Sequence, residues 1–176
     1  MQLLRLVVVV GLGYLVAMTG AARAETKVEL KSVHLCCGQC VKAVGAILKE
    51  VDGVKGKCDQ EAKTVTITAP DDTTAQKALD ALAAKGFHGD TGNTKLAMKN
   101  DSGATPGKVQ KVTVSGVHNC CGQCAKGIKA TLKKVNGVTG DTAKAKLDTF
   151  EVTGVFDPVE LVKALNAAGL HCKVAK

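Results

Sequence analysis

Eight cysteines in a chain of 176 residues need a chemical account, and six of them fall in one motif written twice. His-x-Cys-Cys-Gly-Gln-Cys supplies His34, Cys36, Cys37 and Cys40, and again His118, Cys120, Cys121 and Cys124. Cys37 and Cys40 stand three apart, as do Cys121 and Cys124. Where such a pair enters a helix, its sulfurs lie to one side, a few ångströms from each other. The unpaired amides and positive end of the helix lower a thiol's pKa and favour the thiolate. Two thiolates facing one another need a positive charge between them. A soft ion of low coordination number suits them best, Cu(I) foremost.

Neighbouring residues enlarge the donor set. Cys36 and Cys120 each precede a ligand cysteine, and are either further ligands or packed thiols. His34 and His118 open the motif, as ligands or as loop-stabilising hydrogen-bond partners. His88 and His171 begin the loop before the last strand of each repeat, at the same end of the sheet, and either touch the metal or cap the core. One histidine beside two or three cysteines shifts preference toward Zn(II) or Cd(II). Cys58 and Cys172 have no counterpart in the other repeat, where Thr142 and Gly89 stand; they read as buried thiols or disulfide partners. Two other uses of the cysteines stay open. One is thiol–disulfide exchange by the same Cys pairs in an oxidising compartment, although none of Pro70, Pro106 and Pro158 is suited to face a pair as in thioredoxin. The other is a disulfide framework, which fits poorly with two unmatched cysteines.

The elements that must position these sulfurs are also written twice. Val33–Val54 (VHLCCGQCVKAVGAILKEVDGV) and Val117–Val138 (VHNCCGQCAKGIKATLKKVNGV) agree at 14 of 22 positions, at an offset of 84 residues. Before each motif an alternating strand carries Val28 and Leu30, or Val112 and Val114. After it, Val41, Val44, Ile47, Leu48 and Val51 recur at helical spacing, matched by Ala125, Ile128, Leu132 and Val135. A second strand, a third (Thr64–Thr68 or Phe150–Thr153) and a second helix follow in each copy. Asp157-Pro158 starts the second helix of copy two, which buries Val162 and Leu165; Leu79 and Leu82 do this in copy one. Gly86 and Gly169 sit where a left-handed helix ending is needed. Strand, helix, strand, strand, helix, strand is the ferredoxin-like order, so the expected class is α+β with two tandem βαββαβ domains. The domains span 25–99 and 109–176, joined by a short polar linker at 100–108 that is broken by Gly103, Pro106 and Gly107.

Residues 1–24 read as a secretory signal peptide. A positive start ending at Arg5 leads into an apolar run from Leu6 to Met18, too short to span a bilayer core, and then Ala22-Arg23-Ala24. Cleavage after Ala24 would leave a periplasmic or extracellular protein that is not embedded in a membrane. The formal net charge is +8, but the mature part has no arginine, and aromatics are only 2% of the chain. Without guanidinium forks or stacking rings, nucleic-acid recognition is not expected. No paired carboxylates, nucleophile elbow or phosphate-cradling loop stands out, so no enzyme activity is expected either.

Over residues 27–99 and 109–176 the chain resembles tandem heavy-metal-associated (HMA) domains, the family that includes copper chaperones and the periplasmic mercury-binding protein. That family carries Gly-Met-Thr-Cys-x-x-Cys, and the resemblance puts its two metal ligands on Cys37 and Cys40, and on Cys121 and Cys124. This sequence departs from it: His34 or His118 replaces Gly, Leu35 or Asn119 replaces Met, and Cys36 or Cys120 replaces Thr. The resemblance implies a carrier, buffer or chaperone of soft ions, with Cu(I) first and Hg(II), Zn(II) or Cd(II) behind it. Lys126, Lys129 and Lys133, on the helix beside the second Cys pair, suggest a docking face for an acidic metal-transport partner.

Overall fold

The computed structural model describes residues 25–175; the expected signal peptide, 1–24, lies outside them. Alternation in the first repeat yields β1 (Thr26–Leu30), and the apolar stripe after the Cys motif yields α1 (Gly38–Lys49). Then come β2 (Lys55–Asp59), β3 (Thr64–Ala69) and α2 (Asp72–Ala84). The second repeat repeats the order with β4 (Val109–Ser115), α3 (Gly122–Leu132), β5 (Val138–Asp141), β6 (Phe150–Phe156), α4 (Pro158–Ala167) and β7 (Lys173–Ala175). The protein is α+β, two ferredoxin-like units of antiparallel sheet covered by helices.

Register follows the alternation. Val28 faces Ile67 and Leu30 faces Val65; in the second unit Val112 faces Val152 and Val114 faces Phe150. All eight are buried, and the helices cover them with Val44, Leu48, Leu79 and Leu82, or with Ile128, Leu132, Leu161 and Leu165. The second helices start on side-chain caps. Asp71 accepts the Thr74 amide at 2.7 Å, and Asp157 accepts that of Val159 at 2.8 Å ahead of Pro158.

The units differ at their last strand. The second sheet has the full order β5-β6-β4-β7, whereas the first has only β1-β3-β2. There the expected fourth strand shrinks to a single bridge, Lys31 to Asp90. Its cause is local: the Asp90 carboxylate accepts the Gly92 amide at 2.8 Å, and Gly92 takes φ +61°, so the chain turns away. The linker also departs from a free tether. Ser102 is buried, and its carbonyl accepts the Val174 amide at 2.8 Å beside β7. Among the described residues, no helix is long and apolar enough to cross a membrane.

Candidate metal centre

Each Cys motif bridges the end of a first strand and the start of a first helix. Cys37 and Cys121 are the residues just before α1 and α3, both in extended backbone with φ of −158° and −154°. Cys40 and Cys124 lie one turn inside and are fully buried. This brings Cys37 and Cys40 sulfurs to 3.7 Å, and Cys121 and Cys124 sulfurs to 3.8 Å.

The two motifs are not separate sites. The units face each other, and the sulfurs of one meet those of the other: Cys37 to Cys121 at 3.7 Å, Cys40 to Cys124 at 3.7 Å, Cys36 to Cys124 at 3.4 Å and Cys120 to Cys40 at 4.0 Å. Cys36 and Cys120 also stand 3.6 and 3.7 Å from the buried cysteine of their own motif. Six sulfurs thus form one cluster, related by an approximate twofold axis through the middle of the Cys40–Cys124 contact. Two helix N-termini abut it, which favours negative charge.

Two glycines set the separation of the units. Gly86 and Gly169 both take φ +80°, a left-handed conformation that ends α2 and α4. The Gly86 carbonyl accepts the amides of His118 and His171 across the interface, at 3.4 and 3.0 Å. The Gly169 carbonyl reciprocally accepts those of His34 and His88, at 3.4 and 2.9 Å. A Cβ on Gly86 would lie 2.1 Å from the His118 nitrogen, and one on Gly169 would lie 2.2 Å from that of His34. Between these contacts Phe87 and Leu170, both fully buried, pair as an antiparallel bridge. The sequence marked both glycines as helix endings, while their second role, admitting the partner unit's backbone, leaves no trace in a pattern read one repeat at a time.

His34 and His118 come to the sulfurs. A ring nitrogen of His34 groups with Cys36, Cys40 and Cys124, and one of His118 with Cys40, Cys120 and Cys124, all ligand atoms within 4.8 Å of one another. The Nε2 atoms of both are buried without a hydrogen-bond partner, which leaves donor capacity for an ion. His34 also reaches into the other unit, its Cε1 lying 3.1 Å from where a Cβ on Gly127 would be, and the His118 ring stacks on Phe87 with centroids 4.1 Å apart. Burial lowers the His118 pKa, keeping its imidazole neutral and able to ligate.

The thiols are tuned in opposite directions. The Cys40 and Gln39 amides at the start of α1 hold Cys37 down at about 7. Burial pushes Cys36 and Cys120 up to about 12. The hydrogen bond between Cys40 and Cys124 drives Cys40 up and Cys124 down. All eight cysteines are free thiols. The donor set is soft, crowded and shielded, and it can bind metal.

The other sequence candidates lie elsewhere. His88 and His171 face each other, Nδ1 to Nδ1 at 3.4 Å, and the His171 Nε2 pairs with the Asp101 carboxylate at 2.8 Å. Asp101 comes from the linker and gave no sign of this in the sequence. Cys58 is half-buried on β2 opposite Val65, and Cys172 is buried in the second core; burial raises both pKa values, that of Cys172 to about 12. Lys126 and Lys133 are exposed, whereas Lys129 is half-buried and forms an ion pair with Asp141. Asn119, where the first repeat has Leu35, is buried and donates from Nδ2 to the Lys144 and Leu147 carbonyls, each at 2.8 Å. It thereby ties the β5–β6 loop to the second Cys motif.

No protein-family model matches the chain, and no curated protein matches it. Two solved structures are similar in part. One is the copper-binding domain from HMA7, a P-type ATPase, at 24% identity and a TM-score of 0.34, covering 39% of this chain and 96% of that one. Another is the N-terminal soluble domains of Bacillus subtilis CopA, at 17% identity and a TM-score of 0.30, covering 87% of this chain and 95% of that one.

Proposed function

We propose that the protein is an exported carrier or buffer of soft metal ions, with Cu(I) as its favoured cargo, and that it performs no catalysis. The observation that carries this reading is the meeting of six thiols from two repeats with sulfur separations of 3.4 to 4.0 Å. Uncompensated thiolates at these distances repel, and a cation between them removes the repulsion. Cu(I) suits an all-sulfur set of low coordination number, while a ring nitrogen of His34 or His118 would admit Zn(II) or Cd(II). The Arg5-to-Ala24 segment supports export, and a thiol-rich buffer in such a compartment would have to be loaded before its cysteines oxidise.

Thiol–disulfide exchange is the weaker reading, since it wants one exposed attacking thiolate, and here the Cys37 and Cys121 thiols lie 3.7 Å apart, both half-buried. Exposed Lys126 and Lys133 support docking of an acidic metal-transport partner along α3. Native mass spectrometry of the reduced mature chain with added Cu(I) tests the main reading. Bound Cu(I) at one equivalent or more is expected, and less than one ion per chain would sink it.

A further inference from the structure

We propose that the six cysteines do not hold one ion per repeat but form a single polynuclear Cu(I)–thiolate centre shared by both units. The inference rests on the metal-binding reading above and concerns how many ions are held, and by which sulfurs.

The geometry defines three sulfur triads. Cys36, Cys40 and Cys124 enclose one, with edges of 3.6, 3.7 and 3.4 Å. Cys40, Cys120 and Cys124 enclose a second, with edges of 4.0, 3.7 and 3.7 Å. An ion at the centre of either triangle lies about 2.1–2.2 Å from its three sulfurs, close to the ~2.3 Å of a metal–thiolate bond. Cys36, Cys37 and Cys121 make the third group, within 4.8 Å of one another. Every triad takes sulfurs from both units, so neither repeat can complete one alone.

The triads share members. The first two have the Cys40–Cys124 edge in common, so a single ion occupies that pair; the third meets the first at Cys36, so that ion and one in the third triad are bridged by a common thiolate. The triads thus hold two Cu(I) ions, a binuclear centre with Cys36 as its bridge. Monovalent ions leave such a cluster anionic, and the N-termini of α1 and α3 offset that excess. Loading moves no electrons: each thiol gives its proton to solvent as its sulfur binds Cu(I). Because the first ion draws both units onto a common sulfur, it organises the third triad, and loading is cooperative.

The test titrates the reduced mature chain with Cu(I) released from a weak chelator without oxygen, read by native mass spectrometry and by X-ray absorption. Wild type is expected to pass from the free form to a form with two ions, with few chains carrying one, and to show copper–copper scattering. Sedimentation should show this loaded form as a monomer. Cys36→Ser with Cys120→Ser, which leaves both Cys-x-x-Cys pairs, should load in independent steps and abolish that scattering, with an unchanged far-ultraviolet dichroism spectrum. Wild type that binds two ions in independent steps without copper–copper scattering overturns the shared centre while leaving metal binding intact. So does a polynuclear form found only in dimers, or a double variant that loads like wild type. Failure to bind one ion would instead remove the function on which the inference rests.

Discussion

After His88 the first repeat passes through Gly89 and Asp90 into a turn on Gly92, whereas after His171 the second runs through Cys172 into strand β7. At the opposite extreme stand the Cys motifs, where the repeats place six sulfurs in matching positions about the twofold axis. The contrast separates two kinds of constraint. The last-strand position of each unit supplies no sulfur to the cluster and tolerates a strand or a turn. The residues at the axis must satisfy both units at once, and there His34 and His118, Gly86 and Gly169, and the cysteines have all stayed paired.

That comparison is broken most severely at the glycines. Gly86→Ala and Gly169→Ala should each destabilise the protein by ~3–4 kcal/mol, since each adds a backbone clash to an unfavourable φ. Gly92→Ala, also at positive φ but in open space, should cost only about 1–2 kcal/mol. Denaturant unfolding measures all three, and equal losses would mean that the close approach of the units contributes nothing.

The facing histidines give a second handle. Burial, then the neighbouring His171, lowers His88 from its ordinary 6.5 to about 4, although Asp90 acts the other way. Asp101, on the far side of His171, completes the charged groups facing the pair. The unfolded chain therefore takes up a proton that the folded chain refuses between these two values. Stability contributed by neutral His88 is present above pH 6.5 and declines as pH falls toward 4, by roughly 2–3 kcal/mol. His88→Asn should flatten that part of the stability profile relative to wild type, as followed by denaturation at pH 7 and pH 4.5.

Smaller effects sharpen the difference between the motifs themselves. Asn119→Leu copies the first repeat into the second, but strips the Lys144 and Leu147 carbonyls of their donor, at a cost of about 1–3 kcal/mol. The reciprocal Leu35→Asn buries an amide among apolar neighbours and should cost a similar amount. Thermal unfolding of the two variants against wild type checks both. Cys58→Ser, at a position where the second repeat has Thr142, should leave the Cu(I) stoichiometry unchanged. A loss of bound ions in that variant would bring β2 into the metal centre.

Much of the fold was legible because periodicity is local. Val28 and Leu30 alternate, Val44 and Leu48 recur at one helical turn, and Asp157-Pro158 announces a helix start; each became the element it suggested. The missing fourth strand of the first unit was written in Gly89, Asp90 and Gly92, a turn-forming series that the strength of the repeat obscured. The site was legible as residue types but not as an assembly. Cys36 and Cys120 looked ambiguous because, within one motif, adjacent side chains diverge. They gain a role only when the other unit supplies the Cys124 and Cys40 sulfurs opposite. Docking of the units depends on surface complementarity about an axis, and no spacing along the chain encodes it.

The carbonyls of Gly86 and Gly169, each shared by two amides from across the axis, make the two units behave as a dimer whose subunits are covalently joined. An assembly of separate chains falls apart on dilution and takes its composite site with it. Here the second half is always present at the effective concentration set by a short connection, so the site's completeness is independent of how much protein is present.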